Sequence, residues 1–151
     1  MITTKVVYIA GPYSATVTHT AAENVLIASW TAKEFLVRGI PYHCPHLNTH
    51  KVSPETPYSE FIALGIAVLT RCDAIYMLPG WRHSHGTIRE MEVANKHGIP
   101  CADSVNTIQH FFQHGYVPDG VSQYTETITS PYDHQKYNVN YLTNNTERTQ
   151  P

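Results

Sequence analysis

The residues with the most chemical potential lie between Cys72 and Glu92, in the stretch CDAIYMLPGWRHSHGTIREME. Asp73 opens a short apolar run, Pro79-Gly80 breaks it, and Ser84, Gly86 and Glu90 enter a helical pattern. On a helix beginning near Gly86, the residues Ile88, Met91 and Ala94 form the apolar stripe, Glu90 falls at its border, and Arg89 points the other way. A carboxylate there, in the first turns where the positive end of the helix dipole lies, is favoured in its ionised form while partly shielded from water. Those conditions suit a nucleophile or a base. Simple charge complementarity at a helix N-terminus is the plainer account of the same position. Glu92, two residues on, projects to a different side and reads as solvent-facing.

Ser84 and Gly86 precede that helix, where unpaired backbone N–H groups can hold a phosphate or carboxylate and glycine permits close approach. An ordinary N-cap explains the same pair. Asp73 is either turned outward or used in the cleft, where a second carboxylate would supply the acid half of an acid-base pair, as glycosidic cleavage requires. Tyr13 and Trp81 sit on loops that should face each other and suit either stacking on a planar ring or packing. His43, His46 and His50 form an H-x2-H-x3-H series, but PYHCPHLNTH reads as a strand end running into a loop rather than a helix face. Neither metal nor cofactor is expected.

Positioning these residues requires strands and helices in alternation. Lys5 to Ala10 reads as a buried first strand that delivers Gly11, Pro12, Tyr13 and Ser14 into a loop. Thr20 to Arg38 carries apolar residues at helical spacing and stops at Gly39. Ile40 to Cys44 predicts a second strand, Pro45 to Pro57 a loop, and Tyr58 to Thr70 a helix. Ala74 to Leu78 has the near-continuous apolar character of a central parallel strand. A helix over Gly86 to His97, a short strand over Ile99 to Ala102, and a helix over Val105 to His114 capped by Ser104 complete the series. This alternation implies an α/β domain over residues 1–115, built on a mainly parallel sheet of four to five strands. Ligands of such sheets bind beyond the carboxyl ends of the strands. Residues 116–151, rich in Thr, Ser, Asn, Gln and Tyr, predict an irregular tail, either lying over the surface or packed on a neighbouring subunit through its tyrosines.

The 151 residues carry a formal charge of −2, so no electrostatic case exists for a polynucleotide partner. With 42% hydrophobic residues the chain can bury an ordinary core. No run of about 18 apolar residues predicts a membrane span, and the N-terminal stretch does not read as a secretion signal. Cys44, Cys72 and Cys101 read as buried, reduced thiols, so a cytoplasmic location is expected.

Tyr8-Ile9-Ala10-Gly11-Pro12-Tyr13-Ser14, Asn24, Pro45-His46, and the run from Cys72 to Glu90 followed by Ala94 and Gly98-Ile99-Pro100 together resemble the nucleoside 2-deoxyribosyltransferase-like superfamily. Within it the chain is similar to small bacterial and phage proteins that share an L-P-G-W-x-x-S-x-G-x-x-x-E signature. The resemblance covers residues 5 to about 102. It implies a flavodoxin- or Rossmann-like three-layer fold and cleavage of the N-glycosidic bond of a nucleoside or nucleoside 5′-monophosphate. By the same resemblance Glu90 attacks C1′ to form a glycosyl ester, Asp73 assists protonation of the departing base, and Tyr8 orients the nucleophile. Ser84 and the Gly86 amide hold the sugar or 5′-phosphate end, and Gly11, Pro12, Tyr13, Asn24, His46 and Trp81 complete the binding site. The intermediate passes to water in the hydrolases and to a second base in the transferases. Relatives assemble as homodimers or larger, so a homo-oligomer is implied. The related proteins often carry an acidic residue where this chain has Gly65. Base exchange, and non-catalytic sequestration of a nucleotide in the same cleft, are the alternatives to hydrolysis.

Overall fold

Strand β1 (Val7–Ala10) is buried along its whole length, and its side chains alternate between two cores as the pleat dictates. Tyr8 and Ala10 enter one core with α3 (Tyr58–Leu69) and α4 (His85–Lys96), through residues such as Leu69, Ile88 and Met91. Val7 and Ile9 enter the other with α1 (Ala21–Val37) and α5 (Val105–His114), through Ala28, Phe35, Ile108 and Phe112. A sheet with apolar residues on both faces requires helices on both, and the result is the three-layer α/β arrangement expected. The structure, a computed structural model, describes residues 3–49 and 55–144.

The remaining strands are β2 (Tyr42–His43), β3 (Ala74–Met77), β4 (Cys101–Ala102), β5 (Val121–Thr129) and β6 (Lys136–Asn144). Their order across the sheet is β2-β1-β3-β4-β6-β5, parallel throughout except for the β5–β6 pair. With β6 counted as the fifth parallel strand, this is the doubly wound order 2-1-3-4-5 of flavodoxin-like sheets, whose switch point lies between β1 and β3. Local signals set the helix limits. Thr20 and Glu23 form a capping box on α1, Ser84 and Ser104 cap α4 and α5, and Gly115 at φ 78 ends α5. Cys44, Cys72 and Cys101 are buried and unpaired.

Two expectations are corrected. Pro45–Thr49, expected as loop, forms the short helix α2, while His50 lies outside the described residues. More consequentially, residues 121–144 are not an irregular tail but a hairpin with nine register pairs, so the sheet has six strands and does not end at residue 115. Val139 and Tyr141 turn into the core under α4, and Leu142 into the core under α5. The Asn95 side chain bonds the backbone of Asn140 in both directions, at 3.0 and 2.9 Å, and so ties α4 to β6. Of the tail tyrosines, three pack within their own chain, while Tyr116 and Tyr132 stay largely exposed. Tyr124, Tyr137 and Tyr141 join the core, and Tyr116 lies beside His110 and His114.

Candidate functional site

At the carboxyl ends of β1 and β3 lies a cavity of about 810 Å³, within the range of small-molecule sites. The β1–α1 loop, α2, α3, the start of α4 and the β5–β6 turn all contribute to its wall.

Glu90, in the second turn of α4, reaches this cavity. Its Oε2 is buried and has no hydrogen-bond partner among the described residues. Burial pushes its carboxyl up to about 7, and a hydrogen bond from the Tyr8 hydroxyl pulls it partly back, so burial outweighs the helix dipole that was expected to favour the ionised form. Tyr8 itself is driven far above the ordinary tyrosine range by burial and by the neighbouring Glu90 charge, so it remains a protonated donor. Glu92 is held elsewhere on the helix by Arg89 and Lys96, each at 2.9 Å. The two glutamates therefore occupy different environments, as helical spacing predicts.

Gly65 explains how Tyr8 reaches this position. A Cβ built there would stand 2.5 Å from the Tyr8 hydroxyl, so α3 leaves room for the phenol only because residue 65 has no side chain. Gly11 serves a comparable purpose, since a Cβ at that position would lie 2.5 Å from the Leu78 Cβ where β1 and β3 end side by side.

The loop after β1 is pinned from two directions. Asn24, buried on α1, donates to the Ser14 carbonyl at 2.9 Å, and His46, buried on α2, lies 2.8 Å through Nε2 from the Pro12 carbonyl. Tyr13 packs at a tilt on His46 and lines the cavity with Gly11, Pro12 and His46. Asn24 acts one step back, holding the loop without reaching the cavity wall. Ser84 lines the cavity while its Oγ accepts from the Thr87 amide at 3.2 Å. The Gly86 amide also faces it, donating at 3.1 Å to the Tyr58 hydroxyl.

Asp73 and Trp81 are not brought to this site. Asp73 precedes β3 and so stands at the amino end of the sheet, beside Val6, and does not line the cavity. There it accepts from the Val6 amide at 2.8 Å and lies exposed. Strand polarity decides its place, which corrects its assignment as the acid of an acid-base pair. Trp81 is buried against Tyr141 of β6 and covered by the Arg82 guanidinium, 4.4 Å from its ring. The hairpin absorbs the aromatic surface that was expected to stack on a ligand. The histidine series has separate duties as well: His43 stacks on Tyr8 while His46 holds Pro12. No cluster of three or more metal-ligating side chains occurs among the described residues.

Sequence reasoning missed Tyr58, His85 and Tyr132 as members of the site. His85 offered a signal, since it stands between Ser84 and Gly86. Tyr132 offered none without the hairpin, being 47 residues further along the chain than His85.

A family model described as a domain of unknown function (DUF4406) matches residues 5–103. The chain belongs to this family. The DUF4406 match takes in β1 through β4 and with them Tyr8, Gly65, Gly86 and Glu90. It ends before the hairpin that supplies Pro131 and Tyr132 to the cavity. No curated protein matches the chain. Among solved structures it is similar to a conserved protein from Enterococcus faecalis V583, at 20% identity and a TM-score of 0.47 over 71% of this chain and 72% of that one. No helix among the described residues is long and apolar enough to cross a membrane.

Proposed function

We propose that this protein cleaves the N-glycosidic bond of a nucleoside or nucleoside 5′-monophosphate, with Glu90 as the nucleophile. The observation that carries the reading is a buried carboxylate oxygen with no hydrogen-bond partner among the described residues, on a helix whose start lines a cavity of substrate size. A structural glutamate would have that oxygen paired or solvated, because leaving it buried and unpaired is costly. A carboxylate awaiting an electron-poor carbon has reason to remain so.

In the reaction, a Glu90 oxygen bonds to C1′ as the bond from C1′ to the base nitrogen breaks. The bonding pair leaves with the base, which takes up a proton. Water then attacks the glycosyl ester, loses a proton, and frees both the sugar and Glu90. Tyr8 holds the carboxylate in place throughout. With Asp73 at the far end of the strand, the proton for the base comes from solvent or from the imidazoles of His46, His83 and His85, which line the cavity. Transfer to a second base uses the same intermediate and differs only in its acceptor.

The test is chromatographic detection of free base after incubation with 2′-deoxynucleosides and their 5′-monophosphates, with and without a second free base. Release without an added base indicates hydrolysis, and a newly formed nucleoside indicates transfer. A ligand recovered intact after tight binding favours sequestration, and inertness toward both substrate series contradicts the proposal.

A further inference from the structure

Part of the cavity wall comes from a segment outside the DUF4406 match, the Ser130–Gln135 turn between β5 and β6. This turn is firmly built. Its ends close on each other through the Ser130 amide and the Gln135 carbonyl at 2.8 Å, and the His134 amide returns to the Ser130 carbonyl at 3.1 Å. Ser130 is completely buried, and its Oγ lies 2.8 Å from His85 Nδ1, so the turn is fastened to the first residue of α4. Asp133 accepts from Tyr137 on β6 at 2.6 Å, which fixes the other side. Tyr132 projects from this frame into the cavity lining, with its ring 4.9 Å from His85 and 6.2 Å from Tyr58. It nevertheless remains 69% exposed. An aromatic ring held from one side on a rigid turn, with most of its surface open, has the form of a stacking platform awaiting a planar partner.

We infer that Tyr132 is a specificity-determining residue which stacks on the planar base of the ligand, the Ser130–His85 bond holding the platform against the start of α4. The inference rests on the nucleoside reading of the site and adds which part of the ligand the hairpin recognises. It also gives the hairpin a functional reason to be joined to the DUF4406 core, because the matched residues alone leave the base without this wall.

The experiment is calorimetric titration of full-length Glu90→Gln protein, which keeps the ligand intact, with 2′-deoxynucleoside 5′-monophosphates and, separately, with 2-deoxyribose 5-phosphate, which has no base. Adding Tyr132→Ala is expected to weaken nucleotide binding about tenfold, while the affinity for 2-deoxyribose 5-phosphate stays within about twofold. Tyr132→Phe should restore nucleotide binding, and Tyr132→Leu, with bulk but no ring, should not. Equal affinities with and without the Tyr132 ring, or parallel losses for both ligands, overturn the stacking role while leaving the nucleoside reading intact. Absence of nucleotide binding by both the Glu90→Gln and the wild-type protein overturns that reading and the stacking role with it.

Discussion

At the scale of single residues, the site turns on what burial does to Glu90. Unfolded, this glutamate titrates near 4.5, whereas in the folded protein it titrates near 7. The folded state therefore holds an extra proton between those values, and stability falls as pH rises through that window. Glu90→Gln, which never ionises, is predicted to be more stable than wild type at about pH 8, by something on the order of 3 kcal/mol. At about pH 4 the two should melt alike, and denaturant titrations at both pH values check this. A variant that stabilises a protein while abolishing its activity is typical of a functional site. Gly65 allows a second test of the same group. Gly65→Ala places a methyl 2.5 Å from the Tyr8 hydroxyl, so the phenol must shift and its bond to Glu90 is disturbed. We predict at least a tenfold loss of base release with a stability cost of about 1–3 kcal/mol, read by steady-state kinetics beside a melting curve. The spacing of Ile88, Met91 and Ala94 was enough to separate Glu90 from Glu92. For Asp73 strand polarity is the legible signal, since a residue that opens a parallel strand lies at the end opposite the ligand.

At the scale of elements, the four longer helices and the first four strands were legible because their apolar residues repeat with the expected periods and Thr20, Ser84, Ser104 and Gly115 mark the ends of α1, α4 and α5. The hairpin was not legible, because β5 is an edge strand of largely polar residues and β6 turns only a few side chains inward. The signal present was the period-two placement of Tyr137, Val139 and Tyr141, which Thr- and Asn-rich neighbours obscured. Beyond the β4–β6 pairing and the buried Val139, Tyr141 and Leu142, the hairpin is tied to α4 by Asn95, whose side chain bonds both backbone groups of Asn140. Asn95→Ala is predicted to cost about 1–3 kcal/mol, since it strands two backbone groups of β6. Hydrogen exchange should show the loss of protection concentrated in β5 and β6, with β1 and β3 unchanged.

At the scale of the whole molecule, the fold brings residues distant in sequence to one end of a doubly wound sheet. β1 gives Tyr8, α4 gives Glu90, α3 gives Tyr58 and the space at Gly65, and the hairpin gives Tyr132. Such an end is where the switch point between β1 and β3 opens a crevice, so the position of the cavity follows from topology and its chemistry from the side chains that reach it. We propose that Glu90, and not the glutamate two residues beyond it, forms the bond to the sugar. Base release from 2′-deoxynucleosides and their 5′-monophosphates by wild type, Glu90→Gln and Glu92→Gln, measured side by side, tests it most directly. Glu90→Gln should give no release above background, and Glu92→Gln nearly wild-type release. Equal release from Glu90→Gln and wild type would contradict the proposal.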